Sequence, residues 1–153
     1  MQKNLDLYFE GQDEKSKLVY SVGLLWGKIN STLDDVLNEF NLNVSKFNIL
    51  MIIKHIGGYD GIQQNEISKR LLVTASNITK LLDKLEKDGL ITRNAKKEDK
   101  RVKLIRITDF ASKLLDNAWV KYSKEIELLT SSFTENEAIK QKEKIVDWLT
   151  NIN

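Results

Sequence analysis

The 153 residues contain no cysteine, no proline and a single histidine, His55. Without thiols there are no disulfide staples, thiolate metal sites, cysteine nucleophiles or thiol redox sensors. One imidazole without sulfur partners falls short of a transition-metal site, which needs several such ligands. Glycine is scarce as well, at seven residues, and these do not gather into a phosphate-cradling loop. No Ser–His–Asp set or metal motif can be assembled either, so neither an enzyme nor a cofactor is expected. The longest apolar run, Ile49 to Ile53, is far short of the roughly 18 residues of a membrane span. The N-terminal MQKNLDLYFEGQDEKSK lacks the apolar segment of a signal peptide. A soluble, cytoplasmic protein without a membrane partner is the expectation.

What is present suffices for one ordinary domain with appended helices: 41% hydrophobic and 30% charged residues. The net charge of +2 hides a split. Between Gly61 and Thr108 stand 12 Lys and Arg against 6 Asp and Glu, whereas the remaining chain carries 12 against 16. A basic middle between acidic ends is expected where one part faces phosphate and the rest does not.

Apolar periodicity predicts a first helix from about Glu14 to Phe40. Leu18, Val22, Leu25, Ile29, Leu33, Val36 and Phe40 recur every three or four residues, leaving some of Asp34, Asp35 and Glu39 to solvent. A helix of this length outruns a small domain, so its stripe calls for a partner helix from this chain or another. Asn43 then caps a second helix ending at Gly57–Gly58. Ile49, Ile52, Ile53 and Ile56 form one face of it and Phe47, Leu50 and Met51 widen the apolar surface, as in a central element. Two short helices follow, Gln64 to Leu71 and Ala75 to Asp88, joined by Leu72-Val73-Thr74 and closed by Gly89. The second turns Ile78, Leu81, Leu82 and Leu85 inward. Ser76, Lys80, Asp83 and Lys87 point away, with Asn77, Thr79 and Lys84 on the flanks. Two strands come next, Leu90 to Arg93 and Val102 to Ile107, separated by a polar loop from Asn94 to Arg101. A helix-turn-helix followed by a hairpin makes a winged helix. Thr108 starts a further long helix through Trp119 to Leu129, and a Thr134–Glu137 capping box starts the last, with Ile145, Trp148, Leu149 and Ile152 apolar. The fold class is therefore mainly α with a small β-hairpin wing.

The stretch Leu71 to Thr108 resembles the MarR-type winged-helix transcriptional regulators. Val73-Thr74, Ser76-Asn77-Ile78-Thr79, Leu85-Glu86-Lys87, Gly89-Leu90-Ile91, Arg93, Asp99-Lys100-Arg101, Ile105, Ile107 and Thr108 occur together in register. The sequence departs from the usual pattern at Gln63, where Thr or Ser is common, at Ala111, where Gly is frequent, and at Lys80 and Lys84, which are often Arg. Lys is a poorer bidentate base reader than Arg. The resemblance implies a homodimer whose N- and C-terminal helices interlock, a fourth helix in the major groove and a wing in the adjacent minor groove of double-stranded DNA. On this reading residues 1–42 are an N-terminal arm and dimerisation helix, 43–108 the DNA-binding region and 109–153 the C-terminal dimerisation helices.

The candidate DNA contacts are Ser76, Asn77, Thr79, Lys80 and Lys84 on the recognition helix and Arg93, Lys97, Asp99, Lys100 and Arg101 in the hairpin. Ser76 and Asn77 lie near a helix N-terminus, which favours phosphate. Arg101 suits a narrow minor groove, and Asp99 would hold its guanidinium. The candidate dimerisation residues are Leu18, Val22, Leu25, Ile29, Trp119, Trp148 and Leu149. Trp26 and Phe110 read as core anchors, His55 as structural or pocket-lining. The expected function is a ligand-responsive repressor binding a palindromic operator, with a small amphipathic or aromatic effector. A winged-helix protein–protein docking module without DNA remains the alternative.

Overall fold

The computed structural model describes residues 8–71, 75–96 and 102–152, with the side chains of Ala75 and Ser76 outside the description. Its elements run α1 (Glu14–Asn38), α2 (Val44–Ile52), α3 (Gln64–Leu71), α4 (Ala75–Lys87), β1 (Ile91–Ala95), β2 (Lys103–Ile107), α5 (Asp109–Leu129) and α6 (Glu135–Asn151). The connection at Leu72-Val73-Thr74 and the wing tip lie outside the described residues.

The local signals act where the sequence places them. Asn43 accepts from the Lys46 amide, Thr108 from that of Ala111, and Thr134 and Glu137 form a reciprocal capping box. Helix α4 ends in a Schellman turn: Leu90 N donates to Leu85 O, Gly89 N donates to Glu86 O, and Gly89 takes φ +70°. Helix α1 ends the same way with Asn41 at φ 55°, the non-glycine residue that best tolerates this conformation. Two backbone features depart from expectation. Helix α2 does not continue regularly to Gly57; it widens into a π turn over Ile53–Gly57, which leaves Ile56 52% exposed instead of inward. The hairpin also gains a third edge. Ile62 exchanges both backbone hydrogen bonds with Ile105, at 3.0 and 2.9 Å. Gly61 at φ +84° permits that approach, since a Cβ there would stand 3.0 Å from Ile105 O and from Arg106 Cγ.

One core holds the centre together. Phe47, Ile49 and Leu50 of α2 and Ile53 of the π turn pack with Ile67 of α3, Ile78, Leu82 and Leu85 of α4, Ile91 and Ile105 of the hairpin, and Leu115 of α5. Helix α1 enters this core through Leu37 and Leu42 beyond it, while Val36 is only half-buried. The inward row of α1 is thus rotated from the expected stripe in its last turns. Asp34 is not simply solvated either: Oδ1 accepts from Val44 N at 2.7 Å, satisfying an orphan donor at the start of α2. Earlier in α1 the apolar row is left uncovered by the described residues. Leu18, Val22 and Leu25 are exposed, and so are Ile145 and Leu149 on α6, which contributes no buried residue.

A part-buried ion pair ties α2 to the end of α4. Lys46, only 8% exposed, places Nζ 2.8 Å from Asp88 Oδ2. The hydrogen bond from Lys46, more than any other cause, holds the Asp88 carboxyl below the usual carboxylate range. A depressed carboxylate adds stability that is complete above its unfolded pKa and is lost as pH falls through the folded one. Asp88→Asn should therefore cost roughly 1 kcal/mol at pH 7, allowing for solvent on the outer side of Asp88. Urea unfolding should show that deficit shrinking as the pH is taken below the ordinary carboxylate range. A deficit that stays constant with pH would mean that the pair contributes nothing through its charge.

Candidate nucleic-acid interface

Helix α4 is amphipathic across its full width. Ile78, Leu82 and Leu85 are completely buried, whereas Asn77, Thr79, Lys80, Lys84 and Lys87 are exposed. With one face in the core, the opposite face has to point outward, and three lysines lie on it or beside it within two turns. This is the geometry that carries a cationic helix into a groove.

The helix is positioned from three sides. At its start, Gln64 Nε2 of α3 donates to Thr79 Oγ1 at 2.7 Å, crossing the helix-turn-helix. At its end, Lys46 holds Asp88. On one flank, Arg93 of β1 brings Nη1 to 2.6 Å from Asp83 Oδ1 and 3.2 Å from Glu86 Oε2. Arg106 braces the far side of the hairpin, donating from Nε and Nη2 to the carbonyls of Tyr59 and Asp60. On α3, Glu66 is held below its ordinary carboxylate range by hydrogen bonds from Arg70 and then Lys69. Both cations are thereby engaged within their own helix.

The expected contact residues divide accordingly. Asn77, Lys80 and Lys84 stand on the outer face. Thr79 is exposed but already hydrogen-bonded. Arg93 is turned back onto α4. The side chain of Ser76 and all of Lys97, Asp99, Lys100 and Arg101 lie outside the described residues. The expected dimerisation residues are spread over three helices: Leu18, Val22 and Leu25 are exposed, Ile29 is half-buried, Trp119 is 46% exposed, Trp148 is half-buried and Leu149 is exposed. Phe47, Trp119 and Tyr122 stack where α2 meets α5, with the Phe47 and Tyr122 rings 4.5 Å apart, and burial raises the Tyr122 phenol. Phe110 and Trp26, 65% and 69% exposed, do not anchor this chain's own core as expected.

Sequence reasoning missed Gln64, Lys46 and Asp88, none of which belongs to a motif. The acids at Asp83 and Glu86 three residues apart were visible, but their partner was not.

Two cavities border the region between α2 and α5. One of about 640 Å³ opens among Phe40, Leu42, Lys46, Asp88, Phe110 and Leu114. Another of about 350 Å³ is lined by Met51, His55, Leu115, Asp116 and Trp119. Lys54 beside the latter pairs with Asp116 and donates to Ser112 O. Among the described residues no group of acids and imidazole could hold a metal, and no helix is long and apolar enough to cross a membrane.

Two crossed helices with an outward basic face, followed by a hairpin that a third edge completes, define a winged helix-turn-helix protein. The family model described as MarR family matches residues 42–103. The chain is 30% identical over 125 residues to the HTH-type transcriptional regulator MhqR of Bacillus subtilis, spanning 81% of this chain and 84% of that one. Among solved structures, a MepR–DNA complex from S. aureus superposes with a TM-score of 0.81 at 25% identity, covering 88% of this chain and 97% of MepR. CouR from Rhodococcus jostii, bound to p-coumaroyl-CoA, shares the fold with a TM-score of 0.74 at 21% identity, over 92% and 94% of the two chains. The chain belongs to the MarR family. It is a winged-helix, DNA-binding transcriptional regulator and not an enzyme.

The outer face of α4 carries a direct test. If Lys80 reads a base, Lys80→Ala should cost about 1–3 kcal/mol in DNA binding and relax preference at one position of the site. Equal loss on every duplex, measured by titration against single-base variants, would make Lys80 a phosphate contact instead.

Proposed function

We propose that the protein is a cytoplasmic repressor that binds a palindromic operator as a homodimer. The face of α4 opposite Ile78, Leu82 and Leu85 is the observation that carries the DNA reading. Residues 43–108 form the reading unit, with Asn77, Thr79, Lys80 and Lys84 entering the major groove. Ser76, Lys97 and Lys100 lie along phosphates, and Arg101, held by Asp99, enters the minor groove. The dimer reading is supported by the exposed apolar side chains along α1 and α6, since exposed apolar rows on a regulator mark an interface. MepR, a relative in fold at 25% identity, was solved with DNA, which agrees with this reading. A docking module without DNA would leave the lysine face of α4 without a purpose.

Selection from random duplexes tests the proposal. The enriched site should be an imperfect palindrome with half-site centres roughly 10 bp apart or a multiple of that. Affinity should fall steeply as salt rises. Leu25→Asp should yield monomers by light scattering and lose most affinity for the full site. A monomeric wild type, or an asymmetric selected site, would overturn the dimer.

The regulatory input is a small amphipathic or aromatic molecule seated beside α2. The cavity at Met51, His55, Leu115 and Trp119 supports this, offering apolar walls and a few polar groups where α2 meets α5. CouR, similar in fold, was solved with p-coumaroyl-CoA. Such a ligand acts only if it binds the arrangement unfit for DNA more tightly. Aromatic acids at millimolar concentration should raise the thermal midpoint and weaken operator binding; no change in either would eliminate this ligand class.

A further inference from the structure

Two acids interrupt the cationic face of the recognition helix. Within Ala75–Lys87 they are Asp83 and Glu86. At 100° per residue Asp83 falls on the outer face beside Lys87, which separates it from Lys80, and Glu86 falls on the flank beyond it. A bare carboxylate there would repel the phosphates that the lysines attract.

Arg93 answers both acids. It leaves β1 in register with the fully buried Ile105 and spans from the hairpin to α4, where its Nη1 meets Asp83 and Glu86. Its side chain is 18% exposed. Its Nε and Nη2 are out of solvent contact and have no hydrogen-bond partner. This guanidinium is committed inward, and its charge is spent on protein carboxylates instead of on DNA. Removing either acid would enclose a cation with still fewer acceptors, which makes the pair more consequential than an open surface bridge.

We propose that Arg93 is a positioning residue for DNA recognition: it clasps the first wing strand to α4, setting the angle between wing and recognition helix, and it screens Asp83 at the edge of the DNA face. This rests on the DNA reading above. The clasp is polar because the apolar stripe of α4 lets the helix roll about its axis. A charged hydrogen bond from Nη1 to Asp83, with Glu86 Oε2 3.2 Å from the same nitrogen, is directional and does not. A lysine is a poor substitute, because an ammonium on a flexible stem lacks the rigid planar group that aims Nη1 at Asp83.

The clasp and a plain phosphate contact predict opposite results. If Arg93 simply attracted DNA, Arg93→Met would weaken binding, Asp83→Asn would tighten it by removing negative charge, and Arg93→Lys would restore it. The clasp predicts that all three weaken binding to the selected site, by roughly tenfold for Arg93→Met and Asp83→Asn. It also predicts that the double variant is no worse than Arg93→Met alone. A second readout needs no DNA. In the free protein, amide hydrogens of Ile91–Ala95 and Lys103–Ile107 should exchange faster in each variant, while those beside Ile78 and Leu82 stay protected. Tighter binding by Asp83→Asn, full affinity in Arg93→Lys, or unchanged exchange in the hairpin overturns the clasp. Should the wild type bind no duplex at all, the DNA reading fails while the exchange comparison still decides whether Arg93 holds the wing.

Discussion

A recognition helix has to be gripped from one side and left bare on the other, and most of this structure follows from that constraint. Ile78, Leu82 and Leu85 supply the grip by complete burial. Burial of this kind is strong but non-directional, so it fixes the distance of α4 from the core better than its roll or tilt. Orientation is left to polar contacts at the margins: Gln64 on Thr79 at the start, Arg93 on Asp83 and Glu86 along one flank, and Lys46 on Asp88 at the end. Each reaches α4 from a different element, so α3, β1 and α2 all have a say in how the lysine face is presented. None occupies Lys80 or Lys84, which keeps the outer face available.

The same economy governs the long helices. The last turns of α1 enter the core through Leu37, but its first half and all of α6 keep large apolar side chains at the surface. A single chain of this size has no further core to receive them. Helix α5 joins the two regions, beginning against the hairpin at Thr108, packing Leu115 into the core and ending beyond Tyr122 among the uncovered helices. The ring stack of Phe47 with Tyr122 and the contact of Lys54 with Asp116 lie along the seam between α2 and α5. A molecule lodged there would press on both regions at once.

Legibility in the sequence followed the range of the interaction. Caps and stops act within a few residues, so Asn43, Gly89, Thr108 and the Thr134–Glu137 box located their helix ends correctly, and the 3.6-residue period separated the buried from the bare face of α4. Periodicity was less secure where a helix changes neighbours. The predicted row of α1 turns inward at Leu33, but in the next turn Leu37 goes inward in place of Val36, and Leu18, Val22 and Leu25 stay exposed. The π turn after Ile52 escaped notice because Lys54 and His55 carry no signal for it, and it moved Ile56 to the surface.

By itself the sequence determined the order and ends of the helices, the presence of a wing, the cationic outer face of α4 and, through the resemblance of Leu71 to Thr108, the family. All of these are written in local spacing, and local spacing is what a linear pattern records. Only the tertiary structure decided that Ile62 would complete the hairpin through Ile105, that Asp34 would satisfy the first amide of α2, that Lys46 would be buried against Asp88 and that Arg93 would face α4. A charged side chain goes to whichever opposite charge the fold brings within reach, and for Lys46 that partner lies 42 residues along the chain. Arg93 belongs to the same class: its type and position fit a DNA contact, and its direction was set by two acids that only the packing of β1 on α4 placed beside it.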